Sequence, residues 1–82
     1  MNYVYILYSR QLDRYYIGST SDIQSRLTKH LSEHSGFTGK AKDWIIVWTE
    51  LQESKTSAII REKQIKKWKS RKMIEQLIGS KN

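Results

Sequence analysis

The side chains best suited to chemistry on a charged group belong to Arg26, His30 and Glu62. Arg26 and His30 are four residues apart, so a helix places them about one turn from each other. At about 100° per residue, both lie at the rim of the apolar stripe that contains Ile23 and Leu27. On that helix alone, the simpler interpretation is structural, with Arg26 extended over the core edge and His30 half-buried.

Glu62 needs a chemical explanation. If residues 55–69 form a helix, Glu62 lies about 40° from Ala58 and about 60° from Ile65, inside the apolar stripe of that helix. An ionised carboxylate buried without a partner costs on the order of several kcal/mol. We therefore expect beside Glu62 either a cationic side chain such as Arg26 or a bound metal ion.

The charge of the chain indicates a polyanionic partner. Its 82 residues include 15 Lys and Arg against 8 Asp and Glu, a formal net charge of +7. Basic clusters also occur on solvated faces and at membrane surfaces. Much of the charge lies within residues 61–72, largely on the helix expected over residues 55–69. Nucleic acid is favoured as the partner because the apolar residues of that helix are needed for the core. The predicted nucleic-acid-binding residues are Lys40, Lys42, Arg61, Lys63, Lys66, Lys67, Lys69, Arg71 and Lys72.

Length and residue types exclude several classes of protein. We expect a single domain over residues 1–82. The absence of cysteine excludes disulfides and thiolate metal sites. No apolar run approaches the ~20 residues that span a bilayer, and no signal-peptide pattern opens the chain. The expectation is a cytoplasmic protein with no membrane partner and, by default, a monomer.

Three apolar stretches predict a small sheet. Residues 3–8 are apolar or aromatic throughout, which is typical of a central strand. A polar connection leads to a second strand over residues 15–19, which predicts an antiparallel hairpin. Tyr5 and Tyr16 can then be neighbours, although paired tyrosines are ordinary in sheets. A third strand over residues 44–51 is expected beside the first, on the side away from the second.

Helix signals flank these strands. Ser21 and Gln24 have capping-box spacing, which predicts a helix from about Asp22. Residues 32–43 are polar and basic, as in a loop.

A second helix is expected to begin among residues 54–57 and to end near Lys69, and a third to follow Ser70 with Gly79 just past its end. The predicted fold class is therefore α+β, a three-stranded antiparallel sheet flanked by helices.

Five short motifs resemble, in order and spacing, those of the GIY-YIG nuclease family, in particular its small stand-alone bacterial members. Each alone is weak, but together they cover nearly the whole chain. They are Tyr3-Val4-Tyr5-Ile6-Leu7, Tyr16-Ile17-Gly18, Arg26-Leu27-x-x-His30, Phe37-Thr38 and Ala58-x-x-Arg61-Glu62-Lys63-Gln64-Ile65-Lys66-x-Trp68.

Two features depart from the family pattern. The first motif begins with Tyr and Val instead of Gly and Ile, and no asparagine follows Glu62 before Asn82.

The resemblance implies hydrolysis of a phosphodiester bond with one divalent ion, Mg²⁺ or Mn²⁺. Glu62 resembles the metal-binding glutamate, and Arg26 the arginine that stabilises charge in the transition state. Tyr5 resembles the tyrosine that helps to deprotonate the attacking water, and Tyr16 the one that positions water or phosphate. His30 stands where relatives carry a histidine or tyrosine that assists proton transfer. A base near neutral pH needs a lowered tyrosine pKa, which we expect from the metal ion and Arg26.

Two functions stay open at this stage. The first is a metal-dependent endonuclease with little sequence specificity, because no recognition domain is attached, and with DNA favoured over RNA by the resemblance alone. The second is a nucleic-acid-binding module that keeps the fold with weak or no catalysis. An unpaired, inward Glu62 favours the first, since a pure binder gains nothing from it.

Overall fold

The computed structural model describes residues 1–32 and 41–80. Within these two ranges three strands and three helices follow one another, and the predicted α+β class is confirmed. The elements are β1 (Asn2–Ser9), β2 (Arg14–Thr20), α1 (Ile23–Ser32), β3 (Ile45–Gln52), α2 (Lys55–Trp68) and α3 (Arg71–Ser80). None of the helices within the described ranges is long and apolar enough to cross a bilayer.

The sheet has the predicted topology. Its order is β2-β1-β3, and β1 pairs antiparallel with both neighbours. The central position of β1 explains its continuous apolar sequence, since both of its faces are covered. In the β1–β2 register Tyr5 lies opposite Gly18, and Val4 lies opposite Ser19. Because successive side chains alternate between faces, Gly18 and Ser19 belong to opposite faces of the edge strand β2.

Each face of the sheet packs against its own apolar cluster. The cluster on the α2 side comprises Val4, Ile6, Ile17, Trp48, Ala58 and Ile65, with residues of α3 packed against it. The cluster on the other face comprises Tyr5, Leu7, Ala41 and Trp44, with Leu27 of α1 packed against it. The helices are thus fixed by apolar burial on both sides of β1.

The first helix is capped one residue later than the sequence predicts. Asp22, rather than Ser21, is the capping residue: its Oδ1 accepts the Ser25 amide at 3.1 Å and its Oδ2 accepts the Ser25 hydroxyl at 2.8 Å. The predicted box of Ser21 with Gln24 is therefore wrong. A carboxylate that accepts two hydrogen bonds at the positive end of the helix is the better cap.

The predictions for α2 and α3 agree with the structure except at the C-terminal end of α3. Ser54 caps α2, and Ser70 accepts the Met73 amide at 3.3 Å at the start of α3. Between the helices Lys69 is left-handed, with φ of 49° and ψ of 31°. Gly79 lies inside α3 and not past its end. The predicted loop falls mostly on residues 33–40, which lie outside the described residues together with the Phe37-Thr38 motif and Lys40.

An ionic contact joins the β1–β2 hairpin to α3. Arg71 Nη2 lies 2.6 Å from Oδ1 of Asp13, a turn residue with a φ of 53°, and Tyr8 Oη donates to the same oxygen at 2.7 Å. The hydrogen bond from Arg71, followed by that from Tyr8, lowers the pKa of Asp13 to about 2. This contact holds α3 against the end of the sheet that is away from Asn2.

Candidate active site

Gly18 leaves room for the side chain of Tyr5. A Cβ atom built on Gly18 would lie 2.5 Å from Tyr5 Oη and 2.7 Å from its Cζ. The Tyr5 ring is only 3% exposed, so it has little freedom to move aside. The ring of a central-strand tyrosine therefore lies over the backbone of β2, and its hydroxyl reaches toward the edge of the sheet. This close approach requires glycine at position 18.

Tyr5 and Tyr16 are neighbours, as the sequence predicts. Their ring centroids are 6.4 Å apart, and the pair is diagonal because Tyr16 lies opposite Leu7 in the register. Tyr16 also makes an edge contact with Trp44, with centroids 6.5 Å apart. The aromatic contacts place both tyrosines on one face near the β2 edge.

Four of the predicted site residues interact electrostatically. Burial raises the pKa of Tyr5 above its ordinary value, Tyr16 and Glu62 add to the increase, and Arg26 opposes it. Arg26 lowers this pKa as expected, but burial outweighs the nearby guanidinium, so the Tyr5 pKa is raised overall in the absence of a metal ion. At neutral pH Tyr5 keeps its proton and can donate a hydrogen bond.

Glu62 has two partners, one for each carboxylate oxygen. Ser19 Oγ donates to Oε1 at 2.6 Å, and Lys66 Nζ lies 2.6 Å from Oε2. The Glu62 side chain is 19% exposed. The expectation of a compensating cation is thus correct, but the cation is Lys66 one turn later on α2 and not Arg26. The inference that Glu62 is unpaired without a metal is wrong, because i,i+4 spacing lets Lys66 reach it.

Arg26 lines a cleft of about 190 Å³ at the end of the sheet that holds Asn2. We call it the Arg26–Lys55 cleft; its polar lining consists of Asn2, Ser19, Thr20, Ser21, Arg26 and Lys55. Ser19 belongs to this cleft and also donates to Glu62, so it connects the arginine side of the site with the glutamate side. His30 lies one turn after Arg26 on α1, and its side chain lies outside the described part of the structure.

The sequence did not identify Asn2, Ser19 or Lys55 as site residues. Ser19 directly follows the Tyr16-Ile17-Gly18 motif, and strand alternation places it on the α2 face. That alternation was the available signal. Asn2 and Lys55 come together only through the packing of α2 on the sheet.

Three of the predicted nucleic-acid-binding residues are already paired with carboxylates. Arg61 Nε lies 3.0 Å from Glu50 and its guanidinium stands 5.9 Å from the Trp68 ring. Lys66 pairs with Glu62, and Arg71 with Asp13 and Glu75. Within residues 1–32 and 41–80, no carboxylate pairs with the other described members of the set, which are Lys42, Lys63, Lys67, Lys69 and Lys72.

The donor set at Glu62 fits a hard divalent ion. The described residues contain no group of three or more His, Cys, Asp or Glu side chains that could hold a metal. Mg²⁺ usually keeps several waters and takes one or two carboxylates together with substrate phosphates. The Lys66 ammonium shows that a cation can stand beside Glu62 Oε2. Glu62 is thus a suitable single carboxylate ligand if Lys66 moves away.

Comparisons with known proteins give one match. The family model of the GIY-YIG catalytic domain matches residues 1–75 of this chain. No curated protein and no solved structure matches it significantly.

Proposed function

Because the chain belongs to the GIY-YIG family, whose catalytic domains are typically nucleases, we propose that it is an endonuclease that hydrolyses phosphodiester bonds in DNA. The proposal includes Mg²⁺ or Mn²⁺ as the cofactor, little sequence specificity and one catalytic domain over residues 1–82. We also propose that the protein is a monomer and acts in the cytoplasm. The preference for DNA over RNA rests on the family alone.

One structural observation carries this proposal. The Tyr5 hydroxyl lies over Gly18 of β2, and the adjacent Ser19 joins Glu62 to the cleft that contains Arg26. A proton-bearing hydroxyl, a guanidinium and a carboxylate thus surround one strand edge. This is the set that hydrolysis of a phosphodiester needs: a group to orient water, a cation for the phosphate and a metal ligand.

The guanidinium of Arg26 has the main electrostatic task. Attack of water on phosphorus forms a new P–O bond and adds negative charge to the nonbridging oxygens before the bond to the leaving oxygen breaks. Arginine stays protonated and can donate two parallel hydrogen bonds to such oxygens. Donors that are in place before the reaction stabilise the transition state more than the ground state.

Glu62 would hold the metal ion, with Ser19 fixing the orientation of its carboxylate. When bound, the ion supplies Lewis-acid stabilisation of charge on the phosphate and the leaving oxygen. Lys66, which pairs with Oε2, would have to leave that oxygen for the ion to bind, and its ammonium could then pair with a phosphate. Glu62 and Ser19 together thus connect the metal side of the site with the Arg26–Lys55 cleft.

The two tyrosines and His30 complete the proposed site. Tyr5 keeps its proton because burial raises its pKa, so we assign its hydroxyl to orienting the attacking water as a hydrogen-bond donor. Tyr16 positions water or phosphate beside it. Proton removal from the attacking water then falls to His30, whose ordinary pKa lies near neutrality.

The second candidate is a nucleic-acid-binding module with weak or no catalysis. The Lys66–Glu62 pair favours it, because the acid is satisfied without a metal. Incubation of the purified protein with single-stranded, duplex and branched DNA separates the two. Cleavage in Mg²⁺ or Mn²⁺ that stops in EDTA supports the nuclease, whereas binding to all three DNAs without cleavage supports the module.

A further inference from the structure

The described lining of the Arg26–Lys55 cleft is positively charged. Two of its residues are cations, its other polar members are Asn2, Ser19, Thr20 and Ser21, and no carboxylate of the described residues lines it. Hydroxyl, amide, ammonium and guanidinium groups can all donate hydrogen bonds to an anion. The lining therefore suits an oxyanion such as a phosphate group.

Within residues 1–32 and 41–80, the cations of this cleft have no carboxylate partner. Elsewhere in the molecule Arg61, Lys66 and Arg71 each lie within 3.0 Å of a carboxylate oxygen. Among the described residues no carboxylate pairs with Arg26 or Lys55. Unpaired cations in a concave site attract anionic ligands. Other described lysines such as Lys63 and Lys67 also have no carboxylate partner, so this cleft is distinguished by its place beside Ser19 and Glu62.

The cleft adjoins the proposed catalytic glutamate. Ser19 lines it and donates to Glu62 at 2.6 Å. Lys55 begins α2 and precedes Glu62 by seven residues, about 10 Å along the helix axis. Because Arg26 and Lys55 line the same cleft, a nucleic-acid strand with one phosphate at Arg26 would also present phosphate oxygens to Lys55.

We propose that the Arg26–Lys55 cleft binds a backbone phosphate of the nucleic acid, with Lys55 and Asn2 as binding residues that neither the motifs nor the family match assign. The proposal rests on the nuclease function for its location and deepens it by naming where the strand is held. Lys55 supplies the ammonium and Asn2 the side-chain amide. Free phosphate has the same chemistry, and the test distinguishes it from a strand.

The matched variants are Lys55→Gln and Arg10→Gln, each of which removes one positive charge. Arg10 is exposed at the hairpin end of β1, roughly 25 Å from Asn2 along the strand. The Glu62→Gln background prevents cleavage during the measurement. Affinity for a short single-stranded oligonucleotide is measured from 50 to 200 mM salt, and amide shifts of Ser19, Thr20 and Ser21 are followed by NMR.

Lys55→Gln should weaken oligonucleotide binding by about 3- to 10-fold and lower the salt slope by about 0.7, the value for one phosphate contact on a single strand. The amide shifts in the cleft should shrink in parallel, and Arg10→Gln should resemble the background. Equal effects of the two variants would overturn the phosphate site. Inorganic phosphate that gives the same shifts at equal concentration would also overturn it, since the site would then recognise the free anion.

The outcome is independent of catalysis. If the parent cleaves no DNA with any metal but Lys55→Gln alone weakens binding, the nuclease assignment fails and the phosphate site stands. If the parent cleaves and Lys55→Gln behaves like Arg10→Gln, the nuclease assignment stands and the phosphate site fails.

Discussion

Lys66 Nζ lies 2.6 Å from Glu62 Oε2, one turn earlier on the same helix, while Ser19 occupies the other carboxylate oxygen at the same distance. The glutamate is thus held in one orientation by a hydroxyl and neutralised by an ammonium. A divalent ion that binds Oε2 has to displace this ammonium. Lys66 and the metal therefore compete for one oxygen atom.

Lys66→Met should tighten Mn²⁺ binding at Glu62. The lysine side chain is about half exposed, so its ion pair contributes up to ~1 kcal/mol and its loss should raise metal affinity about 2- to 5-fold. The measurement is Mn²⁺-induced broadening of the Ser19 and Glu62 amides. Lys67→Met is the control, because it removes a charge that pairs with no carboxylate among residues 1–32 and 41–80. Equal Mn²⁺ affinity in both variants would mean that Lys66 does not compete with the metal.

Gly18→Ala should destabilise the fold through Tyr5. The added methyl would meet the Tyr5 hydroxyl and ring within 2.5 to 2.7 Å, and the buried ring must shift. A cost of about 1–3 kcal/mol in the free energy of unfolding is expected, as for other overpacked sites. Urea unfolding gives the value. In a Tyr5→Phe background the cost should be smaller, since the nearest atom is gone; additive effects of the two changes would contradict this contact.

Asp13→Asn should destabilise the protein at neutral pH but not at low pH. The folded pKa of Asp13 is lowered to about 2, chiefly by Arg71. The charged contact therefore stabilises the protein above the ordinary aspartate pKa of ~3.9 and loses its effect as the pH falls toward 2. Asparagine tolerates the left-handed backbone at this position. Urea unfolding of the parent and of Asp13→Asn at pH 7 and near pH 2 tests this prediction. An equal difference between the two urea midpoints at both pH values would refute it.

Arg26 should be needed for cleavage more than for binding. Arg26→Ala is expected to reduce the single-turnover cleavage rate by at least about 10²-fold and to weaken oligonucleotide binding by no more than about 10-fold, since the guanidinium also contacts the bound phosphate. Arg26→Lys should be nearly as slow, because an ammonium cannot replace the two-pronged guanidinium. Arg10→Ala serves as the charge control. An Arg26→Lys variant that cleaves at the parental rate would show that only charge is required there.

Much of the fold could be predicted because it follows from local apolar pattern. The continuous apolar run of β1 indicated a strand covered on both faces, and the sheet has that order. The cap of α1 was missed because Ser21 and Asp22 are both good capping residues, and only the structure shows which one accepts the Ser25 amide. Gly79 was misplaced because glycine in a final helical turn resembles a terminator.

The site was less predictable because its contacts join separate elements. A helical projection places Glu62 on the buried side but does not show that Lys66 reaches it or that Ser19 faces it across the sheet. The direction in which the Tyr5 pKa is shifted depends on how deeply the ring is buried, and no motif specifies that depth. Lys55 was overlooked for the same reason, since its cleft exists only once α2 packs against β2.

Glu62, held by Ser19 beside β2, is proposed to serve metal-dependent phosphodiester hydrolysis. The most direct test is single-turnover cleavage of labelled branched DNA by the parent and by Glu62→Gln, each with Mn²⁺ and with EDTA. Glu62→Gln keeps an acceptor for Ser19 and loses only a partly exposed ion pair, so it should lose less than about 1 kcal/mol of stability. We predict Mn²⁺-dependent cleavage by the parent and none by the folded variant. Parental cleavage by Glu62→Gln, or cleavage by the parent in EDTA, would contradict the proposed role of Glu62 as a metal ligand.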